Sequence, residues 1–338
     1  MKDEQPKPLD LVLSGGGVKG IGLVGAVVAL LDAGYSVKRV SGVSAGSLVG
    51  SILAASSNGN QLTTDEIKEI ALTLPYHKFR DRGAIGRVPM VGKAWGLLRE
   101  TGMYRGDFAH AWIRSELKNL GVTTFGDLAL DDELLIEQRR YRLVVTVADV
   151  TRGQLVRLPW DYRRVYGLDP DDQPVADAVR ASMAIPFYFR PVELTSANGI
   201  TSTLVDGGVL SNFPIDSFDR PDRRRPRWPT FGVTVLPNLP EGNDQLIPAL
   251  GALRRLGPPS LLEKLITTMF VGHDQTHLNQ PWVSARAIRV DSTSVNFLDF
   301  SIGRQDAEML YQKGYVAAQE FVSTWDWEEY LQRFRRFD

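Results

Sequence analysis

Gly42-Val43-Ser44-Ala45-Gly46 reads GxSxG, flanked by the strand-like stretch Val37 to Val40 and the apolar helical stretch Ser47 to Ala55. A serine set in a sharp strand-to-helix turn exposes its hydroxyl, and glycines at 42 and 46 let the helix pack close beneath it. A second strand–helix junction, between Leu9–Leu13 and Gly20–Ala33, carries Gly15-Gly16-Gly17-Val18-Lys19-Gly20. Taken alone, this loop fits three chemistries and one plain turn. As GxGxxG it matches a dinucleotide fingerprint, but that motif needs an acidic residue at the end of the next strand, where Val40-Ser41-Gly42 stands. A P-loop needs Lys-Ser/Thr after the last glycine, and Ile21-Gly22 follow Gly20. The third chemistry is an oxyanion hole, in which the N–H groups of Gly15, Gly16 and Gly17 converge on a charge that exists only in a transition state. Gly17 lies 27 residues before Ser44. A nucleophile elbow and an anion-binding loop together describe acyl transfer.

A serine hydroxyl attacks only when a base takes its proton. The chain has no cysteine and four histidines, His77, His110, His273 and His277. Thiol nucleophiles, disulfides, iron–sulfur clusters and cysteine-ligated zinc are therefore excluded. Ser44, Asp206 and His273 or His277 would satisfy the order Ser…Asp…His. Those two histidines fall, however, in the polar segment His273-Asp274-Gln275-Thr276-His277, which follows no strand, so a surface or packing role is expected. Their i, i+4 spacing is also that of a zincin helix, but Asp274 replaces the glutamate and no third ligand is evident, so no metal is expected. A carboxylate is the other candidate base. Asp206 follows the strand-like Ser202 to Val205 and precedes Gly207-Gly208. Partial burial there would raise its pKa and make it a better proton acceptor, while Asp-Gly is also a common turn pair.

The elements that must position these groups alternate. After the two strand–loop–helix units come helices over Thr64–Leu74 and Asp107–Asn119, and strands over Arg142–Val150 and Leu155–Leu158. A helix over Ala176–Ala184, the strand before Asp206, a strand over Thr230–Leu236 and a closing helix over Gly303–Phe321 complete the pattern. Such alternation implies α/β layering around a mostly parallel sheet. In 338 residues, 39 basic and 40 acidic side chains leave a net charge of −1, so no global charge draws the chain to nucleic acid. Ten of the 31 glycines fall between Gly15 and Gly50, where the two motifs lie. No apolar run precedes Asp10, and Ile21 to Leu31 is 11 residues long against roughly 20 for a membrane span, so neither export signal nor anchor is read and a cytoplasmic location is expected. Three features stay outside this scheme: the apolar stretch Val88 to Leu98 with Lys93 and Trp95, the stripe Leu262, Leu265, Ile266 and Met269, and the arginines 220, 223, 224, 225 and 227. The first two are expected in the core, and the arginines could attract anionic headgroups or phosphate-bearing partners by charge.

GGGVKG, GVSAG and Asp206-Gly207-Gly208 together resemble the patatin-like phospholipase family, which carries such motifs in this order and works with a Ser–Asp dyad. Val147–Gly153, Arg180–Val192 and Leu204–Asp216 are also similar to family segments, so the resemblance runs from Leu9 to Phe218. It implies an α/β patatin-like layered fold over residues 9–218, with a central mostly parallel sheet flanked by helices and with 219–338 packed on it as an extension. It further implies Ser44 as nucleophile, Asp206 as base and the N–H groups of Gly15, Gly16 and Gly17 as oxyanion donors. Lys19 takes the family's basic position, to steady the loop or meet a phosphate, and Gly20, Gly42, Gly46, Gly207 and Gly208 shape the turns. The implied activity is lipid acyl hydrolysis of phospholipase A or lysophospholipase type through an acyl-Ser44 intermediate. It needs no cofactor and no metal, with a lipid or phospholipid as partner and room for peripheral membrane contact. A general carboxylesterase or acyltransferase on the same dyad, or a nucleotide-binding or regulatory protein, is the competing reading.

Overall fold

The computed structural model describes residues 6–57, 61–81, 104–220, 222, 224–235 and 275–335. Strand β1 (Lys7–Leu13) leads through the glycine loop into α1 (Gly20–Asp32), and β2 (Tyr35–Val43) leads through Ser44 into α2 (Ala45–Ser56). Gly34 ends α1 in the left-handed region at φ 81°, which a glycine adopts without strain. Then come α3 (Thr64–Thr73), opened by a capping box between Thr63 and Glu66, and α4 (Asp107–Asn119). Strands β3 (Leu143–Asp149) and β4 (Gln154–Leu158) form a hairpin, followed by α5 (Val175–Ser182), β5 (Val192–Thr195) and β6 (Thr201–Asp206). The C-terminal part adds β7 (Thr230–Thr234), β8 (Ala287–Arg289), α6 (Arg304–Thr324) and α7 (Trp327–Phe334).

The strands form one sheet in the order β5-β6-β3-β2-β1-β7-β8, with β4 also paired to β3. β2 pairs β1 and β3 in parallel, and β7 pairs β1 and β8 in parallel, while β4 and β6 run antiparallel to β3 and β5 antiparallel to β6. β3 is buried at every residue and apolar at all but Thr146 and Asp149, as befits a central strand covered on both faces. One face carries α1 and α2. The other is covered by the chain that follows β6, where Phe213, Ile215 and Phe218 pack with Val12 and Val144. Because β7 lies beside β1, the chain beyond residue 219 extends the same sheet.

α1 is apolar all round because α6 covers its outer side. Gly25 and Gly314 make that contact close: a Cβ on Gly25 would strike the Tyr311 carbonyl, and one on Gly314 would strike the Gly22 carbonyl. Among the described residues no helix is long and apolar enough to cross a membrane. β5, β8 and α7 have no counterpart in the sequence pattern, and they are short elements of three to eight residues. Val88–Leu98 and the apolar stripe from Leu262 to Met269 lie outside the described residues. The parallel strands β1 and β2 end together, so the glycine loop and Ser44 meet at the carboxyl edge of the sheet, where α/β folds place their sites.

Candidate active site

Ser44 closes β2 and opens α2 with φ 52° and ψ −122°, a conformation that costs a non-glycine residue roughly 1–3 kcal/mol. The surroundings hold it there. Its backbone N–H donates to Ser182 Oγ at 2.9 Å, and the Ser182 hydroxyl donates to the Thr146 carbonyl at 2.7 Å. The turn is tight enough that a Cβ on Gly42 would strike the Gly46 carbonyl, and one on Gly46 would strike the carbonyl of Leu13. Ser44 is 3 % exposed and stands at the N-terminus of α2, where the helix dipole favours negative charge.

The glycine loop backs directly on this serine, since a Cβ built on Gly15 would lie 3.1 Å from Ser44 Cβ. The Gly15 N–H, however, donates to the Asn212 carbonyl at 3.2 Å. In the structure the Gly15 amide, expected as an anion donor, is thus engaged by Asn212, and its missing side chain leaves room for Ser44 and Asn212. Asn212 Nδ2 donates in turn to the Gly15 carbonyl at 3.4 Å. Among the described residues the N–H groups of Gly16 and Gly17 have no acceptor. Gly17 holds φ 56°, and the Phe297 carbonyl, which accepts from Val18 N–H at 3.1 Å, fills the space its side chain would need. Gly20 brings the loop to the elbow, for its Cβ would lie 2.9 Å from that of Ala45. Lys19 is 5 % exposed, so it is not a solvated surface charge. Burial lowers its ammonium pKa to about 8, against the opposing pull of Asp291.

Asp206 ends β6 and is fully buried. Its N–H donates to the Ala184 carbonyl at 2.9 Å, and its Oδ1 accepts from Gly208 N–H at 2.9 Å. Gly207 makes this turn possible against β3, where any Cβ would strike the Thr146 carbonyl. Burial pushes the Asp206 carboxyl up to about 7, while the Ser44 hydroxyl and the Gly208 N–H pull in the opposite direction. The Asp206 Oδ2 is buried without a hydrogen bond among the described residues, which leaves it available as an acceptor.

The residues 182–184 therefore hold both halves of the site, Ser44 through a side chain and Asp206 through a carbonyl. Sequence reasoning did not assign Ser182, Thr146 or Asn212 a role. Ser182 and Asn212 stand inside the segments that carry the family resemblance, but their bonding partners are 138 and 197 residues away. No described histidine bonds to Ser44 or Asp206. His277 sits in a one-turn helix, Gln275–Leu278, His110 pairs with Asp177 at 2.6 Å, and His273 lies outside the described residues.

The chain is 34 % identical over 318 residues to the uncharacterized protein YqhO of Bacillus subtilis, spanning 94 % of this chain and 99 % of that one. In three dimensions it is similar to VipD of Legionella pneumophila, with a TM-score of 0.52 at 20 % identity over 95 % of this chain and 67 % of VipD, a likeness of fold. Full-length ExoU of Pseudomonas aeruginosa, in complex with SpcU, aligns with 97 % of this chain and 54 % of its own length, at 18 % identity and a TM-score of 0.46. The chain thus spans about half of ExoU. Residues 11–219 match the patatin-like phospholipases, from the end of β1 past Asp206. The chain belongs to the patatin-like phospholipase family, and lipid hydrolysis is the class of activity that this membership supports.

Proposed function

We propose that the protein is a serine lipid acyl hydrolase of phospholipase A or lysophospholipase type, working through a Ser44–Asp206 dyad. The observation that carries this reading is geometric: the segment 182–184 anchors Ser44 N–H on Ser182 Oγ and Asp206 N–H on the Ala184 carbonyl, each at 2.9 Å, with the glycine loop packed against the serine. Burial also raises the Asp206 carboxyl, to about 7. A base is most effective when its pKa lies near the working pH. Asp206 takes the proton as Ser44 Oγ attacks the ester carbonyl, and the oxyanion that forms accepts from the N–H groups of Gly16 and Gly17. Collapse of this intermediate expels the alcohol, which receives the proton from Asp206, and leaves Ser44 acylated. Asp206 then activates water to release the acid. Burial of the site strengthens both steps, because the donors act on the developing charge in a medium of low polarity.

Labelling with a fluorophosphonate tests the nucleophile. Ser44 is expected to be modified in the wild type, and Ser44→Ala and Asp206→Asn are each expected to lose turnover of phospholipid and lysophospholipid. His77→Ala, His110→Ala and His277→Ala should keep it. A folded histidine variant without activity, or an unlabelled Ser44 in protein incubated with lipid, would overturn the dyad.

A further inference from the structure

The arginines of the 220–227 stretch help to build a cavity far from Ser44. It has a volume of about 230 Å³. Its walls come from β1, β2, the loop around Leu134 to Arg139, the chain from Phe218 to Thr230, Arg286 and α7. Arg39, on its wall, precedes Ser44 by five residues on β2, about 16 Å of strand.

Six arginines line this cavity, Arg39, Arg139, Arg220, Arg227, Arg286 and Arg335, against three aspartates. The pairing is incomplete. Arg39 bonds to Asp10 through Nε at 3.1 Å and Nη2 at 2.5 Å; Asp219 serves Arg286 and Arg335 together; and Asp222 is held by Arg220 at 2.7 Å. Arg227 takes its carboxylate from Asp132, at 2.8 Å. With Asp132 counted, two positive charges remain over. Arg139 is the clearest of the unpaired cations: among the described residues it has no carboxylate partner and lies 5.0 Å over the Trp160 ring. The positive charges of Arg157 and Arg39 add to burial in lowering its pKa. Arg286, 3 % exposed, spends both terminal nitrogens on Asp219 and leaves Nε buried without an acceptor. Gathering like charges in a cavity is costly unless an anion offsets them.

We propose that this cavity binds a phosphate monoester, with the arginine wall taking the phosphate and Trp228, Trp327 and Tyr330 taking its organic part. A monoester carries about −1.5 to −2 charges at neutral pH, which matches the surplus, and guanidinium groups fit its oxygens as paired donors. Leu134 and Ile136, 77 % and 60 % exposed, form an apolar rim where that organic part leaves the cavity. The phosphate reaches the site either on a free small molecule or as the headgroup of phosphatidic acid. The site lies outside the catalytic dyad and does not depend on it.

The test is calorimetric titration of the full chain with phenyl phosphate, beside sedimentation with phosphatidylcholine vesicles that do or do not contain phosphatidic acid. The wild type should bind phenyl phosphate, and Arg139→Gln should bind it at least about ten-fold more weakly with esterase turnover unchanged, as expected for one lost charge-assisted contact. Arg220→Gln, at an exposed pair, provides a second variant should the first fail to fold. Sedimentation with phosphatidic acid that phenyl phosphate reverses would identify the lipid headgroup as the source, and binding of phenyl phosphate alone would identify a free monoester. No binding to either probe, or equal binding by wild type and variants, would overturn the proposal.

Discussion

Replacing Asp206 by asparagine separates the charge of this residue from its shape. The amide oxygen can still accept from Gly208 N–H, but the side chain can no longer ionise. In the unfolded chain the carboxyl titrates near 3.8, and in the fold near 7. Between these values the folded protein holds a proton that the unfolded chain has lost. Asp206 therefore favours folding below pH 3.8, and this contribution is lost as pH rises through 7, where the carboxylate must ionise inside the fold. Integrating the linkage from pH 5 to pH 8, the wild type should lose roughly 2–3 kcal/mol relative to Asp206→Asn, whose own pH dependence reports every other group. Urea unfolding of both proteins at the two pH values measures this difference. Wild-type kcat/KM on a soluble ester should rise through pH 7, in the same window, as the base form appears. If the two proteins stay parallel within about 0.5 kcal/mol from pH 5 to pH 8, Asp206 is not a desolvated carboxyl and the argument for it as base fails.

Ser182→Ala removes the group that accepts from Ser44 N–H and donates to the Thr146 carbonyl. Two buried groups lose their partner, so a loss of about 2–4 kcal/mol of stability is expected in urea unfolding. Relaxation of the strained elbow should lower kcat on a p-nitrophenyl ester by about 10- to 100-fold with little change in KM. Equal kcat in the two proteins would show that Ser182 does not position the nucleophile. Gly314→Ala tests the packing of α6 on α1: its methyl would strike the Gly22 carbonyl, and overpacking of this kind costs about 1–3 kcal/mol. A neutral result in the same unfolding assay would mean that the two helices can separate without penalty.

The motifs were legible in the sequence because each is local. A glycine loop or a GxSxG turn is written in five or six consecutive residues, and the helices and long strands repeat apolar residues at their own periods. Asp107–Asn119 is bounded in the structure as the pattern bounds it, while the strand read at Val37–Val40 extends to Tyr35–Val43 because it is paired on both sides. β5 and β8 were not legible: four residues at a half-exposed sheet edge and three beside β7 carry too few side chains to show a period.

The chain by itself determined which groups are available for chemistry: a serine in an elbow, an aspartate before two glycines, a loop rich in glycine, and no cysteine. It could not show that the Gly15 amide is taken by Asn212, since that bond joins residues 197 apart. Nor could it show the complete burial that raises the Asp206 carboxyl, or the gathering of six arginines from distant segments around one cavity. Desolvation and charge balance depend on what stands around a group in space, and in this protein those neighbours come together only when the sheet forms and the chain after β6 folds across its face.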